Sequence, residues 1–201
     1  MTNPLLTARP LNALPLFDTV KPEHFLPAVE AIIRQSEASI EATVTAVNDS
    51  ASGVSVGWDT LMAPIEQTLD RLEQVWAVIS HLNGVSNTEE IRQAHSDCLP
   101  LLTQFNTYMG QHKGLFKATR NLRNSVIFSQ LDTAQQKVIN NSLRDFKLAG
   151  FDLNSVEQKR YAEIKNSLAK LTTTFSNNVL DATRAYTCLL YTSDAADDLL
   201  C

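Results

Sequence analysis

The chain has 201 residues, enough for one large or two small domains and for a core that needs no disulfide or metal staples. Apolar residues make up 44% and charged residues 19%, and the 6 Gly and 7 Pro are too few for collagen-like, linker-rich, disordered or turn-rich all-β chains. A net charge of −5 leaves no basic field to hold nucleic acid or an acidic membrane surface.

The opening residues lack the basic and apolar regions of a secretory signal, and no run approaches the ~18 apolar residues that cross a bilayer. Cys98, Cys188 and Cys201 show no paired spacing, as expected of a reducing compartment, so a cytoplasmic location is expected.

Pro4, Pro10 and Pro15, with Pro22 just beyond, mark residues 1–21 as an extended arm that packs by Leu14, Leu16 and Phe17. From Pro22 the period becomes helical: Phe25, Val29, Ile32/Ile33, Ser36, Ile40, Val44 and Val47 line one face. Pro22 suits a first turn, and Pro27 either sits near the start or splits off a short turn. Residues 48–57 form a Ser/Gly-rich loop. The second helix is expected from about Trp58 to Leu82, stopped by Asn83-Gly84 with the glycine left-handed. Thr88 caps a third helix, with Glu89 and Glu90 in its first turn and a kink or break expected at Pro100.

A short helix covers about Leu115 to Arg123. Asp132 caps a fifth, which carries Ala134, Val138, Leu143, Phe146 and Leu148 and stops at Gly150. Asn154 or Ser155 opens a sixth, Ser155 with Gln158 fitting a capping box. Its apolar stripe is Tyr161, Ile164, Leu168, Leu171, Phe175 and Val179, with Ala182 and Tyr186 beyond. No strand-like alternation, internal repeat or low-complexity segment competes. The expected fold class is all-α, an antiparallel bundle of about five to six helices.

Residues 188–201 break this pattern. The helical period stops, three Asp arrive in five residues, and the string from Cys188 to Asp197 resembles a translated sequencing adapter. The segment reads as a non-native tail and is set aside like a fusion scar. Without it the acidic residues fall from 22 to 19 against 17 basic, a net charge of −2. The natural frame is then expected to continue past Thr187, which divides the chain into an arm (1–21), a helical domain (22–187) and the tail.

Side chains with catalytic potential are scattered. His24, His81, His95 and His112 include no pair four apart, and H-E-x-x-H, which sets two imidazoles on one helix face for zinc, is absent. Each reads as a surface or capping histidine. Cys98 falls on an apolar face and reads as a small buried hydrophobe. Glycine-rich phosphate loops and G-x-S-x-G are missing. Glu66, Asp70 and Glu73 share a helix face, but a carboxylate di-metal bundle would also need Glu-x-x-His pairs. Asn177-Asn178, unusual inside a helix, reads as an exposed polar pair or as a hydrogen bond to a neighbouring domain. No catalytic, cofactor-binding or metal-binding residue is assigned on these grounds.

Six collinear stretches resemble the N-terminal region of the thimet oligopeptidase-like zinc metallopeptidases: Met1 to Leu6, Pro22 to Ala28, Ile79 to Val85, Leu99 to Ala118 with Gly110-Gln111-His112-Lys113-Gly114-Leu115, Leu131 to Phe146 with Gly150, and Phe175 to Thr183, the most specific. The resemblance covers nearly all of residues 1–187. It implies a cytoplasmic, all-α zinc peptidase that hydrolyses short peptides in a deep cleft between helical halves. The family's H-E-x-x-H helix and downstream Glu bind zinc, and the first Glu is the general base for the zinc-bound water. None of those residues falls on a position of this chain. The resemblance therefore implies zinc in the full-length parent and none here, a missing C-terminal catalytic domain as partner, and an inactive piece that walls the cleft. The alternative is a stand-alone helical adaptor that holds a partner helix or peptide in a groove.

Overall fold

The computed structural model describes residues 3–7, 13–15, 17–49, 51 and 53–186. They contain six α-helices and no strand: α1 (Phe25–Asn48), α2 (Ala63–Val85), α3 (Glu89–Gly110), α4 (Lys113–Arg123), α5 (Thr133–Leu148) and α6 (Ser155–Ala185). The all-α expectation is met. The tail lies outside the described residues, as does Leu16.

Three long helices make the core. α1 buries Phe25, Val29, Ile32, Ser36, Ile40 and Val44, the face that its periodicity marks. Pro22–His24 form a separate 3-10 turn before it, and Pro27 sits in its first turn, where a missing N–H costs nothing. α2 runs back along α1 and buries Ile65, Leu72, Val75, Val78 and Ile79. A π-helical turn, Trp58–Met62, leads into it and buries Leu61 and Met62. α3 then runs parallel to α1, joined to it near both ends, and buries Ile91, His95, Cys98 and Phe105.

Caps explain most boundaries. The Thr88 hydroxyl accepts from the Ile91 N–H at the start of α3. Asp132 and Gln135 bond reciprocally at the start of α5. Gly150, at φ +82°, ends α5 in a Schellman turn: the Phe151 N–H reaches the Phe146 carbonyl at 3.0 Å and the Gly150 N–H that of Lys147 at 3.1 Å. Phe151 then stacks on Phe116 of α4, ring centroids 4.1 Å apart, and so closes the antiparallel α4–α5 pair.

Several boundaries differ from those expected. Gly84 stays inside α2, and the left-handed residue is Asn87, φ 45°. Asn tolerates this conformation, and its amide donates to the Asn83 carbonyl, a bond glycine lacks. α3 passes through Pro100 without a break; α1 and α6 pack on this helix, and such packing outweighs one lost backbone bond. Asn154, not Ser155, caps α6, and its box partner is Glu157 rather than Gln158, because Asn154 Oδ1 accepts from both the Val156 and Glu157 N–H groups. The arm is anchored by Leu5 and not by Leu14, which is 84% exposed. Asn3 donates to the His24 carbonyl and Arg71 to that of Leu5, holding the first residues against α1 and α2.

Candidate functional site

α6 is the longest helix, 31 residues, and none of them is buried. It runs antiparallel to α3 and turns mainly small or polar side chains toward it: Ala162, Ala169, Thr173 and Asn177 are half-buried, with Leu180 the larger apolar side chain on the same face. Between the two helices lies an open cleft of about 480 Å³ whose lining includes Leu99, Asn106, Lys165 and Thr172. The stripe expected to be core points largely the other way, with Leu168 at the cleft's edge. Ile164, Leu168, Leu171, Phe175 and Val179 are 48–68% exposed, roughly 140° round the helix from the α3-facing side. Asn178 is exposed beside them. Among the described residues nothing covers these apolar side chains, which keep a 3.6-residue period.

What holds α6 is polar. Arg92 in the first turn of α3 forks onto both carboxylate oxygens of Asp181. The hydrogen bond from Arg92 holds the Asp181 carboxyl below its ordinary range, and the same bond raises the Arg92 guanidinium. Arg184 reaches the Asn87 side-chain oxygen and the Val85 carbonyl. Asn87, 5% exposed, also accepts from Arg92 Nε. One buried amide thus ties the end of α2 and the start of α3 to the end of α6. Residues 79–85 and 175–183, two of the stretches that carry the family resemblance, meet at this corner.

The histidines serve other purposes. His24 Nδ1 accepts from the Lys21 N–H at 3.0 Å, and the His81 ring lies 4.9 Å from that of Phe17. His112 caps α4: its Nδ1 accepts from the Leu115 N–H, which leaves the Nε2 hydrogen for Glu41 Oε1 at 3.1 Å. Tyr108 donates to the same oxygen at 2.8 Å, and that bond is the main reason the Glu41 carboxyl is held low. His95 is 7% exposed and stacks on Trp76 at 4.6 Å; burial lowers its pKa, and its Nδ1 meets no partner among the described residues. The Cys98 thiol donates to the Ala94 carbonyl, and burial pushes its pKa up to about 12, so it is a packed hydrophobe and not a nucleophile. Asp70 accepts from Gln74, while Glu66 lines an opening of about 290 Å³ between α2, α3, α4 and α5. Among the described residues no three of His, Cys, Asp and Glu converge as metal ligands. None of their helices is long and apolar enough to cross a membrane.

This is an all-α domain of three long core helices, a short hairpin and one helix clamped on by its end. The sequence model of the neurolysin/thimet oligopeptidase N-terminal domain matches residues 29–159, and the chain belongs to that family. It is 44% identical over 186 residues to oligopeptidase A of Haemophilus influenzae, covering 92% of this chain and 26% of that protein. Against oligopeptidase A of Escherichia coli it is 42% identical over 190 residues, 94% of this chain and 27% of that one. The probable cytosolic oligopeptidase A of Arabidopsis thaliana is 33% identical over 172 residues, 86% of this chain and 24% of the relative. The chain spans about a quarter of the length of these curated relatives.

Proposed function

We propose that the chain is the N-terminal, non-catalytic part of a cytoplasmic zinc oligopeptidase that hydrolyses short peptides, and that it walls one side of the peptide cleft. The family match over residues 29–159 carries this reading, and the quarter-length coverage of the relatives supports it. Residues 1–21 are then the arm, 22–187 the helical domain, and 188–201 a non-native tail. A cleft wall must be stiff and need not be reactive. Three long helices around a continuous apolar core meet that need, because close-packed interiors transmit load with little compression. A rigid wall excludes folded proteins by shape alone and admits short, unfolded peptides.

The residues at hand do not fit zinc. Such a site needs three convergent ligands with one open position, and the four histidines cap, stack or pack on separate elements. The metal and the hydrolytic step therefore belong to the polypeptide beyond this region. Metal analysis and a fluorogenic-peptide assay on the purified chain test the assignment, together with a clean read of the gene past codon 187. The expected result is no stoichiometric zinc, no cleavage, and a frame that continues for several hundred codons to H-E-x-x-H. One zinc per chain with chelator-sensitive turnover places the active site here instead. A natural stop codon near residue 187 favours the adaptor.

A further inference from the structure

The outer face of α6 has the spacing of a helix-packing seam. Ile164, Leu168, Leu171 and Phe175 are exposed and follow one another at steps of three and four, the a/d pattern of two helices in side-by-side contact; half-buried Tyr161 precedes the series and Asn178 continues it as a polar member. An exposed apolar row of this size on one helix marks an interface. We infer that this seam is occupied by an amphipathic helix of the polypeptide that follows residue 186 in the full-length peptidase, which makes α6 the shared wall between this domain and the next layer.

Two observations select that occupant. The family's N-terminal-domain match ends at residue 159, only a few residues into α6, whereas the alignment to oligopeptidase A of Escherichia coli takes in 94% of the chain and hence most of α6. The helix is thus shared with the whole relatives but lies largely outside the domain proper. About three quarters of each relative's length lies outside the aligned region and is available to cover the seam. Charges of both signs stand at its N-terminal end, where Arg160 pairs with Glu163 at 3.1 Å and Lys165 lies over the Tyr161 ring, so they set no sign for the partner. The occupant that fits the seam is a helix with an apolar stripe.

This inference rests on the oligopeptidase reading, and the experiment separates the two. Leu171→Lys/Phe175→Lys is placed in the 201-residue chain and in the full-length protein expressed from the natural gene. Both side chains are 68% exposed here, so the 201-residue chain should keep its helicity and its Tm within about 2 °C. In the full-length protein Tm should fall by roughly 5 °C or more, because two lysines then enter an apolar interface. If the double variant of the full-length protein does not fold, Leu171→Gln is used, and amide exchange across residues 164–179 should be faster than in the parent. A full-length protein that cleaves peptides yet tolerates both substitutions overturns the seam and leaves the peptidase reading intact. A frame that stops near residue 187 overturns both. A concentration-dependent dimer of the 201-residue chain, abolished by the lysines, gives the seam to a second copy and also overturns the proposal.

Discussion

Arg92 and Asp181, 89 residues apart in sequence, meet as a two-pronged ion pair that fastens the last turns of α6 to the first turn of α3. The contact is half open to water, with Asp181 50% exposed, so it positions the helix more than it stabilises the fold. Its pH dependence has a definite sign. The Asp181 pKa is depressed below 3.8, so its contribution is complete above 3.8 and is lost as pH falls through the lowered folded value. Asp181→Asn should speed amide exchange over residues 178–186 at neutral pH and leave exchange in α1 unchanged. Uniform slowing or speeding across the whole chain would contradict a local clamp.

Asn87 is the hinge of the same corner. Asn87→Ala keeps the β-carbon at positive φ, about 1–2 kcal/mol of backbone cost, but loses the side-chain bonds to Asn83, Arg92 and Arg184 that make the conformation tolerable for asparagine, about 1 kcal/mol more. Asn87→Gly loses the same bonds but also removes the β-carbon and with it the backbone cost. Urea unfolding should therefore rank wild type above Asn87→Gly above Asn87→Ala, and equal stability of the two variants would show that the backbone conformation is irrelevant.

Gly114 marks a close approach between α4 and α1. A β-carbon there would stand 2.6 Å from Val44 Cγ1 and 3.2 Å from His112 Cε1, and the Gly114 carbonyl accepts from Asn48 Nδ2 at 3.1 Å. Gly114→Ala should cost about 1–3 kcal/mol, as overpacked sites do. Pairing it with Val44→Ala should restore part of that loss if the clash is the cause. A simple sum of the two single effects would exclude it.

The caps and the core faces were legible because their signals are local. Thr88, Asp132 and Gly150 each act within a few residues of themselves, and the apolar rhythm of α1 names the side chains it buries. The orientation of α6 was not legible. A row such as Ile164, Leu168, Leu171 and Phe175 reads the same whether its partner lies inside the domain or beyond it, since periodicity reports that a face will be covered and not by what. The role of Asn87 in place of Gly84 was hidden for a related reason: the bonds to Arg92 and Arg184 that make an asparagine useful there come from helices distant in sequence. The candidate site, an outward seam with a polar clamp, is built almost wholly from such long-range relations.

His95 provides a test of the core in mildly acidic solution. It is stacked on Trp76 with its Nδ1 unpartnered among the described residues, so charging it inside the fold is costly, and burial lowers its pKa from 6.5. The unfolded chain takes up the proton near 6.5 while the folded chain resists it, so the unfolded state binds more protons as pH falls. Stability from this residue is present above 6.5 and is lost progressively below it. Tm should fall between pH 7.5 and 5.5, a window above the range in which carboxylates titrate. His95→Phe keeps an aromatic ring against Trp76 and removes the titration. Its Tm should be flatter across the same interval, and an identical slope in the variant would assign the pH dependence to another group.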